Sequence, residues 1–474
     1  MRATFYGFEA VKSGLTAAQA GLDVTANNIA NQSTQGYSRQ VVDQSATSFN
    51  SDSYKYAQSG TMTNGLGVTI NGIRQIRDEF LDLRFRNANS ENSAIEKTLS
   101  ILSDIESNFD ETQTDGLGVM IEDFYKQLQT LSLNAGEVEF SSLTRSSAQK
   151  VTQTLNHYMN QLNTVYDQEI YEMGVTVKDV NTLLNKISTI NHSIQVAKLQ
   201  QSSTNELNDM RNGYLDALSS HMDITVINHS DGTLSLKTGS EFLLDAQNNV
   251  VATVTLETDP GDVHLETANG NLPITGGELF GAMQVLNGMG NYAGAGQRAY
   301  RGIPYYKASL NSLATSLRDT FNTLNGAGKP LFSGTDASNI AISSGWMNDA
   351  NYITATNDPS PAPGMNDNIL KMVSAMDGSV AVSPYFNGGF QEFTLALMTD
   401  IAIDVNYTAD ISNTSDMVIS SINNQRESVM GVSVNEETAN LIKYQKAFEA
   451  SARVMTAMDE ALDVIINRMG LVGL

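Results

Sequence analysis

Leu441-Ile442-Lys443-Tyr444-Gln445-Lys446-Ala447-Phe448-Glu449-Ala450-Ser451-Ala452-Arg453-Val454-Met455 is the most informative run of this 474-residue chain. It opens a stripe of Leu441, Tyr444, Phe448, Ser451, Met455, Met458, Leu462, Ile465 and Met469, recurring in steps of three and four. Near the other end Phe8, Val11, Leu15, Ala18, Leu22, Thr25 and Ile29 repeat the pattern. Such spacing holds a narrow line on one side of a helix, a coiled-coil seam rather than the broad face of a globular helix. An isolated helix of this length is marginal in water. Each seam therefore needs a partner, which is the other terminus, a neighbouring copy, or both.

Inward from these ends the helical period continues. Leu81, Ala88, Ile95, Leu102 and Phe109 fall seven apart, and Gly116-Leu117-Gly118 breaks that run. From Ser141 to about Leu199, one stripe runs through Val151, Leu155, Tyr158, Leu162 and Val165. A second runs through Val177, Val180, Leu184, Ile187 and Ile194, and the phase slip near Gly174 predicts a kink or break. Residues 78 to 220 thus read as an antiparallel bundle of long helices. At Asp223 the period changes: Ile224-Thr225-Val226-Ile227 and Thr233-Leu234-Ser235-Leu236 flank Asp231-Gly232, a hairpin signal. Helix returns at Glu278 and from Pro304 to Asn325. Residues 326 to 389 read as loop with short elements, including Trp346, and a long helix follows from Phe390 to about Ser428 with Leu397, Ile401, Ile411, Val418, Ile422 and Val429 along one side. Ser433 with Glu436 predicts a capping box for the last helix.

The expected architecture is mainly α, with paired terminal coiled-coil helices, a long-helix bundle and a small inserted β domain. Residues 1–35 and 434–474 form the terminal unit, 36–222 and 276–433 the bundle with irregular segments, and 223–275 the β domain. The stripes inside the bundle have one another to bury against. The terminal stripes have no obvious local neighbour, so they are expected to pair on assembly rather than in the free subunit.

The chemistry of the chain is sparse. Net charge is −24, with 52 acidic against 28 basic residues, which disfavours nucleic acid and anionic membranes as partners. With no cysteine there is neither a disulfide nor a thiolate site. No run is apolar and long enough to span a bilayer, and the first residues lack the pattern of a cleaved secretory signal. His157, His192, His221, His229 and His264 show no metal-ligand spacing, and no phosphate loop or nucleophile elbow is present. Asp404, Asp410 and Asp416 lie along a helix and lack the spacing of a calcium loop. No catalytic residue, cofactor or metal is assigned.

Ala26-Asn27-Asn28-Ile29-Ala30-Asn31, followed by Thr34, Gly36 and Tyr37, resembles the N-terminal signature of the bacterial flagellar rod and hook axial proteins. Lys443 to Val454 resembles their C-terminal signature. Gly36-Tyr37-Ser38-Arg39-Gln40, Arg74-Gln75-Ile76-Arg77-Asp78-Glu79-Phe80-Leu81 and Gly431-Val432-Ser433-Val434-Asn435-Glu436-Glu437 resemble the hook-associated branch, with Val434 and Asn435 as departures. That resemblance implies a structural subunit at the junction of hook and filament, in contact with the hook protein and a second hook-associated protein. It also implies self-association in a ring, a cytoplasmic export chaperone at the C-terminal region, and passage through the flagellar type III system to the cell exterior. The β insert is small for this branch, which implies a reduced outer surface. A hook or distal-rod subunit is the alternative within the class. A secreted enzyme or adhesin with axial-type ends is the alternative outside it.

Overall fold

The computed structural model describes residues 6–47, 67–109, 116–259, 261–294, 300–358, 360, 362, 364–378 and 380–464. Helix α1 (Tyr6–Ala30) leads into a two-stranded antiparallel ribbon, β1 (Gln40–Ala46) against β2 (Val68–Gln75), with a register shift after Asp43. Four helices follow: α2 (Glu79–Asn108), α3 (Leu117–Leu133), α4 (Val138–Leu199) and α5 (Asn205–His221). Asp78 caps α2, its carboxylate accepting from the backbone N–H groups of Phe80 and Leu81. Gly116 stands at the start of α3. The expected interruption near Gly174 is absent, because α4 runs unbroken for 62 residues. Met173, Val177 and Val180 continue its buried line, so the helix carries the phase slip without breaking.

The β insert consists of two small sheets. Strands β3 (Thr225–Asn228), β4 (Leu234–Thr238), β5 (Glu241–Asp245) and β6 (Val250–Val251) form one antiparallel sheet in sequence order. Strands β7 (Thr255–Asp259), β8 (Asp262–Thr267) and β9 (Gly270–Asn271) form the other. The β3–β4 turn places Gly232 at φ +89, and the Asp231 carboxylate accepts from the backbone N–H and the hydroxyl of Thr233. The chain then returns through α6 (Glu278–Asn287) and α7 (Ile303–Asn325). Short elements follow: β10 (Phe332–Ser333), β11 (Ala341–Ile342), α8 (Ser344–Asn348), α9 (Asp367–Asp377), β12 (Val380–Ser383) and β13 (Phe386–Gly388). Two helices complete the chain, α10 (Phe390–Met430) and α11 (Val434–Asp463). Ser433 precedes α11 without a side-chain cap hydrogen bond, in contrast to the expected capping box.

One hydrophobic core joins the bundle, the β insert and the segment after α7. Trp346 is fully buried there, edge-on to Phe332 at 5.7 Å. Neither α1 nor α11 contributes to this core, and α10 contributes only its first third, through Phe390, Phe393, Leu397 and Ile401. The apolar stripe expected along the rest of α10 holds only in part: Ile422 is buried and Ile411 half-buried, but Val418 and Val429 are exposed. Thr408, Ser412 and Arg426 are buried on that helix instead. On α2, likewise, Asp82, Arg86, Ser90 and Asn92 are buried before the apolar Ile101, Leu102 and Ile105. The first part of α2 and the second half of α10 therefore bury polar residues, alongside Ile422 and Met430. No helix among the described residues is long and apolar enough to cross a membrane.

Candidate assembly interface

Helices α1 and α11 lie against each other in one chain, in contrast to the expectation that the terminal stripes lack a local neighbour. Their contact is antiparallel and keeps a seven-residue register. Gly7 faces Met458, Gly14 faces Ser451, Gly21 faces Tyr444, and the Asn28 amide donates to Glu437 Oε2 at 3.0 Å. Each step of seven along α1 is matched by seven back along α11, the repeat that keeps two helices in contact as they wind together.

The seam on α1 therefore differs in part from the apolar stripe. Ala18 and Thr25 are buried, together with Ala17, Gly21, Val24 and Asn28. Phe8, Val11, Leu15, Leu22 and Ile29 are only half-buried. Three of the facing positions are glycines, which allow close approach and carry no apolar side chain, so a count of hydrophobic residues passes over them. Their own spacing of seven is the signal that exposes them. On α11 the residues turned to the partner are Leu441, Tyr444, Phe448, Ser451, Met455, Met458 and Leu462, all half-buried. Ile465 and Met469 lie outside the described residues. The pair thus leaves most of its seam partly open, and Ile442, Val454 and Val464 are exposed beside it.

Both helices are anchored where they leave the bundle. Asn28 acts as a surrogate strand residue: its Nδ2 donates to the Gln40 carbonyl at 2.8 Å, while its Oδ1 accepts from the Gln40 N–H at 3.0 Å. The Tyr37 hydroxyl donates to the same Oδ1 at 2.9 Å. Burial, with the nearby carboxylates of Asp209, Glu206 and Glu437, pushes the Tyr37 hydroxyl up to about 12, so it remains a donor. Asn27 donates to the Tyr37 hydroxyl at 3.3 Å, and Asn31 and Thr34 close the turn by bonding back to Asn27 and Asn31. Gly36 takes φ +78 in that turn, a conformation that favours glycine.

Glu437, only 2% exposed, accepts from Asn28 and pairs with Arg39 at 2.8 Å. Arg39 also donates its backbone N–H to the Met430 carbonyl at 2.9 Å, tying the turn after α1 to the end of α10. Next to it, Ser38 donates through hydroxyl and backbone to Asp209. Arg77 pairs with Asp82 at 2.5 Å and reaches Asp209 at 3.5 Å. Arg426 of α10 bridges Asp82 at 3.1 Å and Asp216 at 2.7 Å, stacked over the Phe85 ring at 4.1 Å. Arg86 closes the chain on Asp216 at 2.8 Å. The burial of Asp209 raises its carboxyl, against the lowering effect of its bonds from Ser38 and of Arg77. Two groups of ion pairs, linked through Ser38 and its hydrogen bonds to Asp209, therefore fix the terminal pair to α2, α5 and α10.

This joint gathers motif-bearing residues into a connection between the terminal pair and the bundle. Among the described residues no group of His, Asp and Glu has the arrangement to hold a metal. Asp404 is held by Arg301 at 2.8 Å and by the Tyr306 hydroxyl at 3.1 Å. His221 pairs with Glu278 at 2.8 Å, and His264 stands between Asp262 and Glu266. Asp82, Asp209, Asp216, Arg86 and Arg426 were not distinguishable in sequence from solvated helix residues. An Asn28→Asp substitution should uncouple α1 from α11, because it removes both donors and sets a carboxylate against Glu437. Amide exchange in the two helices should accelerate about tenfold or more, for a loss of roughly 1–3 kcal/mol. Adding Glu437→Gln, which removes the repulsion, should restore part of the protection.

Residues 102–352 match the family model of the flagellar hook-associated protein FlgK helical domain. Residues 9–37 match that of the flagella basal body rod protein, and residues 424–469 that of the flagellar basal body rod FlgEFG protein C-terminal region. The chain is 27% identical to flagellar hook-associated protein 1 of Bacillus subtilis (strain 168), with all of both chains covered. It is 23% identical to flagellar hook-associated protein 1 of Escherichia coli (strain K12), covering 96% of this chain and 98% of that one. The fold is also similar to that of the flagellar hook junction protein FlgK from Burkholderia pseudomallei, with a TM-score of 0.60 at 12% identity, over 73% of this chain and 100% of that one.

Proposed function

The chain belongs to the family of flagellar hook-associated proteins, structural subunits of the flagellum at the hook–filament junction, and we propose that it makes that junction through its terminal helix pair. The observation that carries this reading is the half-open α1–α11 seam, tethered by an ionic joint to a bundle that is complete without it. A two-helix pair that leaves Phe8, Leu15, Leu22 and Ile29 half-buried on one side, and Ile442 and Val454 exposed on the other, retains apolar surface for neighbouring copies. Copies packed side by side through those faces would form a ring of one helical layer, with terminal pairs inside and bundles outside. The hook protein would meet one side of the ring and a second hook-associated protein the other.

In this reading the chain crosses the type III export channel unfolded, after a cytoplasmic chaperone has covered its C-terminal region. Its place of work is the flagellum outside the cell, and it has no catalytic role. A strain lacking this gene should build hooks of normal length and release flagellin monomers into the medium. Filaments of normal length and unchanged motility in that strain would exclude the junction role. Absent or truncated hooks would instead indicate a rod or hook subunit.

A further inference from the structure

Beside the ionic joint lies a cleft of about 760 Å³, walled by the end of β2, the start of α2, α5 and the β3–β4 hairpin. Arg74, Arg77, Arg86, Lys198, Arg211 and His229 line it, against the carboxylates of Glu79 and Asp82. Asp82 is already shared between Arg77 and Arg426, and Glu79 accepts from Asn228 at 3.5 Å. The cleft therefore gathers positive charge in a chain whose net charge is −24.

Arg211 is the odd member. Its guanidinium donates to the Asn191 side chain at 3.0 Å, the Gly232 carbonyl at 2.8 Å and the Asn208 side chain at 3.0 Å, all neutral oxygens. Its Nε is buried with no acceptor. Among the described residues no carboxylate lies within ion-pair distance of Arg211, Arg74 or Lys198, whereas Arg77, Arg86 and Arg426 in the adjoining joint are all paired. Burial, and the like charge of Arg86, push Arg211 down to about 10. Arg211 is half-buried, whereas Arg74 and Lys198 are exposed, and a cation partly withdrawn from water without a counter-charge is costly. Lys198 extends over Gly232, where a Cβ would stand 2.5 Å from its Nζ, and so brings a second unpaired cation to the same hairpin.

We propose that this cleft is an oxyanion-binding site, in which a phosphate or carboxylate group supplies the negative charge that Arg211, Arg74 and Lys198 lack. An anion bound here would touch β2, α5 and the β3–β4 hairpin together, and so would stiffen the β insert against the joint. The source is either a free phosphate or a carboxylate side chain from a neighbouring protein molecule, since both present oxygens to which a guanidinium can donate in pairs.

The test is calorimetric titration of the full-length protein with inorganic phosphate and, separately, with glutarate, at constant ionic strength and with chloride as control. One saturable site is expected for at least one of the two, with no site for chloride. Tighter binding of phosphate identifies a free anion as the ligand, and tighter binding of glutarate identifies a protein carboxylate. Arg211→Gln should weaken that binding about tenfold or more, the loss of a charge-assisted hydrogen-bond donor. Because Arg211 also holds the hairpin to α4, a variant with Lys198→Gln and Arg74→Gln provides a second measurement in a folded background. Absence of saturable binding in the parent protein, or undiminished affinity in the folded variants, would overturn the proposal.

Discussion

Replacing Gly21 by alanine is expected to weaken the terminal helix pair, whereas the same change at Gly14 strengthens it. In an isolated helix both substitutions are favourable by about 0.5–1 kcal/mol, because alanine loses less backbone freedom on folding. The pair reverses the sign at only one position. A Cβ on Gly21 would lie 2.5 Å from Tyr444 Cδ1 and 2.6 Å from Cε1, so the ring must leave its place on α1. A Cβ on Gly14 would meet Ser451 Oγ at 3.5 Å, an ordinary contact. At Gly7 the neighbour is the Met458 methyl at 2.9 Å, the end of a flexible chain that can swing aside. Overpacking at Gly21 should cost roughly 1–3 kcal/mol, enough to outweigh the gain in helix propensity. Amide exchange in α11 should therefore accelerate in Gly21→Ala, slow in Gly14→Ala and change little in Gly7→Ala. In cells, Gly21→Ala should reduce filament attachment while Gly14→Ala retains it. Equal effects at positions 14 and 21 would mean that the two helices do not meet in this register.

The second large effect is expected in the joint. Asp82→Ala leaves Arg77 and Arg426, with side chains 12% and 7% exposed, facing one another without the carboxylate they share. Each arginine keeps a second carboxylate, Asp209 at 3.5 Å for Arg77 and Asp216 at 2.7 Å for Arg426, so the loss should fall below the about 3–5 kcal/mol of a buried charge left without any partner. Asp82→Asn keeps an acceptor and should lose less. Arg426→Lys should behave more like the alanine variant, since an ammonium cannot bridge Asp82 and Asp216 and stack on Phe85 together. The measurement is denaturant unfolding followed by two probes. Trp346 fluorescence reports the bundle, where the core remains intact, and exchange in α10 and α11 reports the joint. Loss at α10 and α11, with the Trp346 transition almost unmoved, is the expected outcome. A common shift of both probes would mean that the joint and the core unfold as one unit.

Much of the fold was legible because each apolar pattern has a period set by geometry. The repeats along Val151–Leu162 and Val177–Ile194 match the buried side of α4, and Asp231-Gly232 marks the β3–β4 hairpin. The α1 seam was only half legible, since Gly7, Gly14 and Gly21 make contact through what they lack. Hydrophobic residues one position away, Phe8, Leu15 and Leu22, drew the stripe to a neighbouring face. The joint was legible only at its motif residues Ser38, Arg39, Arg77 and Glu437, without their partners. Asp82, Asp209, Asp216 and Arg426 sit on helices at positions that a solvated surface would also fill, and their partners lie up to some hundreds of residues away.

Residue spacing was enough to show that both ends are seam-forming helices, that long helices form the middle, and that a small β unit interrupts them. Periodicity is a local property, and local sterics enforce it. Tertiary structure alone decided which stripe meets which, in what register, and how the pair is fixed to the bundle. Those outcomes depend on where a buried Asn28 finds Glu437 and where Arg426 finds two carboxylates. Burial turns such polar residues from solvated groups into obligatory partners, and burial exists only once the chain has folded.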